Sequence, residues 1–490
     1  MGNRVLTRSI PAKQSHRSLL LWLQVRWKRS LVEAARGRLQ RTQEVVIPRY
    51  IPVAKGKFPF LGHLPSLATR RLAFLERVRE QGDIVEIFLG RTPAYVINDP
   101  RLAREALGDN GTVYAKGRFF ENLRPLLGNG LGTSDGPFHL RQRRMVQPAF
   151  HHARPGYDVA TLLAVIESRI APWRSGDMLD IAKEMDQLSV ALTIKTLFSS
   201  DAAFGDVRAV QQAIADFMNG VGIRTVLPSS ALHRLPIPMN RRFDTARKVL
   251  DNALTTVIDL YRSGGCRQDD ILSMLMDARD PDGVPMSDQE LWDEAMSMLV
   301  AGSDTTGHVL GWIFHELGRN PEIERQLHDE LDRVLCGTRP TKDTVRQLVY
   351  TGQIVNEALR VHNPGWILMR RTTEAVDLGR ASIPAGTELL ISLTSLHRDP
   401  RVYPDPMRFD PDRWLPGRLK DMPRTSFMPF GAGSHQCVGE QLARISMVLV
   451  LATVCSRMRL RPVAGHRVRE VARGTMSADS IPMTITAGRG

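Results

Sequence analysis

Along most of the chain the apolar positions return every three or four residues, the period of a helix with one buried face. The best-marked case opens where Ser287 and Glu290 spell an S-x-x-E capping box and closes at Asn320–Pro321. Its roughly 32 residues, at about 1.5 Å rise each, make a helix of about 48 Å, long enough to cross a whole domain. A second helix runs from Pro321 to Gly337, and a third covers Thr351–Val361. Later, Leu442, Ile445, Leu449 and Ala452 keep the same spacing, so a helix starts at or near Cys437. Residues 156–263 read as successive amphipathic helices, broken at Leu227–Asn240, a stretch with three prolines and no period. That connection reads equally as an access lid or as a surface loop.

Period-two segments are few. Leu72–Gln81 is a short helix stopped by Gly82, after which Ile84–Leu89 and Ala94–Ile97 flank a turn and read as a hairpin. Asp99–Pro100 caps another short helix. From Gly111 to Gly132 the pattern dissolves into a glycine-rich loop carrying Phe119, Phe120 and Leu126. Strand signals return at Val376–Leu378 and Glu388–Ser392, and Thr475–Ile485 reads as a weak hairpin. No repeat and no linker interrupts this order. The fold class is mainly α with a small, chain-distant β region: one domain over 55–490, preceded by a basic leader at 1–54.

Composition narrows the function. At 490 residues and 42% hydrophobic, the chain can bury a large core. Four scattered cysteines, Cys266, Cys336, Cys437 and Cys455, argue against a disulfide framework and for a reducing compartment. The net charge of +14 suggests nucleic acid until it is mapped: residues 1–50 hold 11 Lys and Arg against 2 acidic residues, a surplus of 9. The remainder is mildly basic and shows no stripe of interleaved aromatics, which argues against nucleic acid. In the leader, Ser18–Trp27 is unbroken in apolar character only from Leu19 to Leu23, against about 20 residues for a membrane span. No small-residue cleavage site follows. A surface-lying amphipathic helix, a transit segment and a disordered arm all stay open for it.

The chemistry centres on Phe427–Ala452, where a glycine-spaced loop leads to Cys437. A thiolate there would be held by helix N-terminal N–H groups, and Gly431, Gly433 and Gly439 would let a flat cofactor approach the backbone. That arrangement suits axial ligation of haem iron. The competing readings are a buried structural cysteine, a dinucleotide loop and a zinc site. The dinucleotide loop lacks its third glycine, replaced by Gln436, and its preceding strand; zinc lacks further ligands at finger spacing. The spacing Phe430-x-x-Gly433-x-x-x-Cys437-x-Gly439 resembles the haem-binding signature of the cytochrome P450 family, the haem-thiolate monooxygenases.

Three further motifs bear on that resemblance. Ala301–Gly302–Ser303–Asp304–Thr305–Thr306 places helix-averse residues in the middle of the well-capped helix, a local exception that marks function. A threonine bonded to the preceding turn can open a helix to water and give protons a route. The hexapeptide is similar to the family's oxygen-activation motif, with Asp304 and Thr305 as its acid–alcohol pair. Glu357 and Arg360, at i and i+3 and 80 residues before Cys437, resemble the family's buried Glu–Arg–Arg network, with Arg408 as the third member. His139 and Arg143 share one helix face and resemble the bacterial H-x-x-x-R pair that clamps haem propionates; His435 and Arg370 stand where the family has further propionate partners.

The resemblance covers roughly residues 55–490. It implies the triangular P450 fold, with b-type haem (iron protoporphyrin IX) between the long central helix and the cysteine-loop helix. It implies insertion of one atom of O2 into an apolar substrate, with electrons from NAD(P)H. No electron-transfer module is fused, so a separate ferredoxin and ferredoxin reductase are expected, docking near Arg141 and Arg144. A cytoplasmic monomer, with peripheral membrane contact through the leader, completes the expectation. Phe119, Phe120, Val300, Ala301, Trp366, Ile367 and Leu368 would line an apolar pocket. HRLPIPMNRRF and NPGWILMRR are similar to stretches of bacterial sesquiterpene-oxidising members, so a terpene is the first substrate expected, ahead of a steroid or fatty acid. A peroxide-driven peroxygenase would not need Asp304–Thr305, and a non-catalytic haem protein would need no proton route.

Overall fold

The computed structural model describes residues 51–108, 113–150, 158–198, 207–226, 237–264, 270–420 and 422–487. The basic leader and most of the proline-rich connection lie outside them; from Pro238 onward that connection is already helix. Five short strands form the main sheet: β1 (Ile84–Leu89), β2 (Thr92–Ile97), β3 (Tyr114–Ala115), β4 (Leu368–Thr372) and β5 (Glu388–Ile391), in the order β1-β2-β5-β4-β3. β1 and β2 are a hairpin with Ile84 opposite Ile97. β5 lies parallel to β2 and antiparallel to β4, pairings between distant parts of the chain that no local pattern specifies.

Thr475–Ile485 does not close on itself as a hairpin. Met476–Ala478 pairs with Glu470–Ala472, whereas Pro482–Ala487 pairs with Met458–Pro462 and Met178–Asp180. The glycine-rich loop expected over Gly111–Gly132 is also more ordered than its composition suggests. Its described part holds β3 and a helix, α1 (Arg118–Leu127), which starts after Gly117 and stops at Gly128 with φ +75°. Pro125 inside that helix hides its period, yet Leu123 and Leu127 are buried on one face.

The other helices that build the site are α2 (Gly136–Val146), α3 (Val159–Ile170), α4 (Ile181–Leu197), α5 (Pro238–Arg262), α6 (Asp288–Arg319), α7 (Val349–Val361) and α8 (Glu440–Cys455). α6 is the 32-residue helix read from the capping box. Ser287 Oγ accepts from Glu290 N–H at 3.2 Å, and Ser287 N–H donates to Glu290 Oε2 at 2.7 Å, so two orphan donors of the first turn are satisfied.

α6 belongs to two cores at once. Its first half (Leu291, Met296, Leu299, Val300) packs with α1, α5 and the end of α4. Its second half (Val309, Leu310, Ile313, Phe314) packs with α3, α7, α8 and the start of α4. Ala301–His308 is the seam between them. α4 crosses that seam so closely that a Cβ on Gly302 would lie 2.7 Å from Thr193 Oγ1, and one on Gly307 would lie 2.7 Å from Asp186 Cα. The glycines set the approach, and the approach brings Asp186 to Asp304.

Candidate active site

Cys437 sits two residues ahead of the N-cap of α8, Gly439, in a loop tied by its own backbone. Cys437 N–H donates to Phe430 O (2.9 Å) and Gln436 N–H to Gly433 O (3.1 Å). Gly433, at φ +72°, passes so near the chain at Leu107 that a Cβ would be 2.3 Å from its carbonyl oxygen. A Cβ on Gly439 would come within 3.9 Å of Cys437 Sγ and 3.8 Å of the Phe150 ring. The thiol is accessible yet ringed by protein atoms. That desolvation raises its pKa, while the Gly439 N–H and the Arg143 charge act to lower it.

α2 holds the loop from the side. Arg143 Nη1 donates to Gln436 O at 2.6 Å, and His139 Nε2 to Ser434 O at 3.1 Å. The His139 and His435 rings lie 4.4 Å apart, and His435 Nε2 is 3.1 Å from Asp135 Oδ1. Burial, reinforced by the Lys116 charge, pushes His139 down to about 3, so its imidazole is neutral at physiological pH. Burial also lowers His435, against the pull of Asp135.

Arg370 and Arg371 separate as the pleat of β4 requires. Arg371 forms ion pairs with Glu388 (2.6 Å) and Glu121 (2.7 Å). Arg370 is 4% exposed, donates to its neighbour Met369 O, and is lowered by burial to about 10. Near it is a cation that the motifs did not signal. Lys116 is buried, with its N–H on Asp135 Oδ2 (2.9 Å) and its Nζ on Leu131 O (2.5 Å); burial lowers it to about 7. Arg124 Nη2 donates to Thr133 O at 2.9 Å. Lys116 escaped notice because it lies inside the unperiodic stretch Gly111–Gly132, where no pattern marks a buried position.

The acid–alcohol segment lies within an unbroken α6. Thr305 Oγ1 donates to Ala301 O at 2.9 Å, a back-bond across one turn that leaves the helix closed. Burial pushes Asp304 up to about 6. Asp186 of α4 is raised well above the carboxylate range, first by burial and then by Asp304. His308 Nε2 stands 3.6 Å from Asp186 Oδ1, and burial lowers His308 to about 4. Asp304 and Asp186 are thus partly dehydrated acids that hold their protons more tightly than exposed carboxyls do, with a neutral His308 beside Asp186. Neither Asp186 nor His308 carries a motif: His308 stands one helical turn beyond Asp304 on α6, and the packing of α4 brings Asp186 to them.

Arg408 is not the third member of the Glu–Arg network. Its side chain is exposed, and only its backbone carbonyl takes part, accepting from Arg360 Nη2 at 3.3 Å. The third cation is Arg413, with Nε 3.3 Å from Glu357 Oε1 and Nη2 on Asp405 O at 2.9 Å. Glu357 and Arg360, both wholly buried, meet through two bonds of 2.9 and 2.7 Å. Arg360 also donates to His397 O and Pro406 O, and Glu357 accepts from Asp410 N and Trp414 Nε1. The network pins residues 397–414 against α7.

The expected apolar lining divides. Phe119, Phe120 and Val300 share one core, the two phenyl rings edge-on at 5.2 Å. Trp366 lies in another, against the sheet, its Nε1 on Arg473 O at 2.9 Å. Leu368 faces the cysteine loop, its Cδ1 3.6 Å from where a Cβ of Gly431 would be.

The donor set fits a flat, dianionic iron cofactor: one accessible thiol on a glycine-spaced loop, and two buried cations, Arg370 and Lys116, near the acids Asp135 and Glu294. Arg141, by contrast, is committed to Asp280 (2.7 Å) and Glu290 (2.5 Å), which leaves Arg144 as the exposed cation of that pair.

The family model "Cytochrome P450" matches residues 52–480. The chain is 40% identical to the cyclooctat-9-en-7-ol 5-monooxygenase of Streptomyces melanosporofaciens, over 84% of this chain and 90% of that one. It is 36% identical to the pentalenene oxygenase of Streptomyces avermitilis, over 86% of this chain and 94% of the relative. Among solved structures, the cytochrome P450DA heme domain aligns with TM-score 0.80 and 24% identity, over 90% of this chain and 98% of that one, a likeness of fold. The helical frame, the cysteine loop and the family match converge, and the chain belongs to the cytochrome P450 family of monooxygenases.

Proposed function

We propose that this P450 inserts one atom of O2 into a terpene skeleton in secondary metabolism. The observation that carries this is the 36–40% identity, over most of both chains, to Streptomyces proteins named as cyclooctat-9-en-7-ol 5-monooxygenase, cyclooctatin synthase and pentalenene oxygenase. The apolar neighbourhood of Phe119, Phe120 and Val300 supports a hydrocarbon substrate.

In this reading Cys437, Arg370, Lys116, His139, Arg143 and His435 would hold haem b, the cysteine at its iron and the others at its carboxylates, and the group would supply dioxygen activation. Asp304 and Thr305 hold and hand on protons at the Asp304 carboxyl and Thr305 Oγ1, fed from the side of Asp186 and His308. Phe430, Gly433 and Gly439 shape the loop, and Glu357, Arg360 and Arg413 keep it in place. Electrons come from NAD(P)H through a separate ferredoxin and its reductase. The protein is a cytoplasmic monomer, as its scattered cysteines favour, with a leader able to touch a membrane surface.

A spin-state titration against terpene hydrocarbons, steroids and fatty acids, followed by product analysis with O2, ferredoxin and reductase, tests this. Terpenes are expected to give the largest shift and an oxygenated product carrying one atom from labelled O2. A response confined to fatty acids or steroids would overturn the substrate class. Turnover with peroxide and none with O2 would overturn the monooxygenase reading.

A further inference from the structure

Thirteen large apolar side chains are well exposed among the described residues, and five of them, Val53, Phe58, Phe60, Leu61 and Leu64, fall within one stretch of twelve residues. Phe60 is 75% exposed, Leu61 54% and Phe58 50%. A contiguous patch of this kind calls for a partner.

The turn is clamped, not loose. Phe58 and Gly62 exchange both backbone hydrogen bonds, at 2.8 and 3.0 Å. His63 N–H donates to Phe88 O (2.7 Å), and Phe88 N–H donates to His63 Nδ1 (2.9 Å). A Cβ on Gly62 would strike Phe88 O at 2.3 Å, so the turn lies flush on the outer edge of β1. At its tip Phe60 takes φ +60°, a left-handed conformation costly for an aromatic residue. The geometry holds Phe58, Phe60 and Leu61 outward.

Cations frame these side chains. Lys57 Nζ lies 3.2 Å from the centre of the Phe88 ring, and the Arg91 guanidinium 5.1 Å from that of Phe60. Lys55 is exposed beside them. Lys57, Phe60 and Arg91 border an open groove of about 430 Å³. In sequence the patch directly follows residues 1–50, with their surplus of 9 positive charges. Protruding apolar tips inside a fringe of cations match the two layers of an anionic lipid surface, whereas a protein partner would have to supply a deep apolar socket.

We propose that the Phe58–Leu64 turn docks on an anionic lipid bilayer. Phe58, Phe60 and Leu61 enter the headgroup layer, and Lys55, Lys57 and Arg91 pair with lipid phosphates. This inference stands independently of the substrate class.

Flotation of the full-length protein with phosphatidylcholine vesicles, with and without phosphatidylglycerol, at low and high salt, is the test. The wild type is expected to bind the anionic vesicles and to release as salt rises. The Phe60→Ser/Leu61→Ser protein, altered only at solvent-facing side chains, is expected to keep its thermal midpoint and lose binding about tenfold or more. Lys57→Glu/Arg91→Glu is expected to lose binding to the anionic vesicles alone, and it carries the test by itself if the first variant is destabilised. Equal binding by wild type and both variants would assign the contact to the leader and overturn the proposal. So would absence of wild-type binding, or a concentration-dependent dimer that Phe60→Ser/Leu61→Ser abolishes.

Discussion

Asp304, proposed above as a proton carrier, shows how such a residue weakens the fold that holds it. Burial lifts its pKa from 3.8 to about 6, so ionised Asp304 is penalised in the native state. Below pH ~4 the group is protonated whether folded or unfolded and costs nothing; the penalty grows as pH rises from there and is complete above about pH 6. Asp304→Asn is therefore expected to raise stability by about 1–3 kcal/mol at pH 7, with the gain vanishing near pH 4. Denaturant titrations at the two pH values check the sign. The same change removes the proposed proton carrier beside Thr305, so turnover with O2 is expected to fall about a hundredfold. Product formation per electron consumed would show it. His139 and Arg143 carry a parallel lesson at this scale. Their spacing put them on one face, but the carbonyls of Ser434 and Gln436 that they engage come from a loop almost 300 residues on.

Among the elements, the seam between α4 and α6 depends on glycines. Gly307→Ala adds a Cβ 2.7 Å from the Asp186 backbone, which cannot rotate away as a side-chain tip could. A net loss of about 1–3 kcal/mol is expected despite alanine's better helix propensity. Thermal or denaturant unfolding measures it, and unchanged stability would mean that α4 yields freely. The network behind the cysteine loop separates two arginines that sequence spacing could not. Arg413→Ala withdraws one cation from buried Glu357, which keeps Arg360, and about 1–3 kcal/mol of destabilisation is expected. Arg408→Ala, trimming an exposed side chain, is expected to stay within about 0.5 kcal/mol of wild type. Unfolding midpoints of the pair, with cofactor retention alongside, decide between them. Arg413 was hidden because a tertiary turn at Asp410–Trp414, not helical spacing, aims it at Glu357.

At the scale of the molecule, the distribution of cations bears on electron delivery. Arg141 is bound to Asp280 and Glu290, joining α2 to the start of α6, whereas Arg144 is exposed. Arg144→Glu is expected to slow reduction by an acidic ferredoxin about tenfold or more at low salt, with the difference shrinking as salt rises. Stopped-flow reduction at several ionic strengths checks this. Rates insensitive to both salt and the substitution would place the docking face elsewhere.

The sequence by itself determined what short-range physics encodes: the capped central helix, the β1–β2 hairpin, the cysteine loop with its two left-handed glycines, Gly431 and Gly433, and the residue types of the Asp304–Thr305 pair. These follow from backbone sterics, capping bonds and helical period, which act over a few residues. Only the tertiary structure decided that β5 lies between β2 and β4, that Arg413 and not Arg408 faces Glu357, and that Lys116 joins Arg370. It alone brought Asp186 to Asp304 and His308. Each of those depends on close packing and on matching buried charge between segments far apart in the chain, and neither leaves a periodic trace in the residues that carry it.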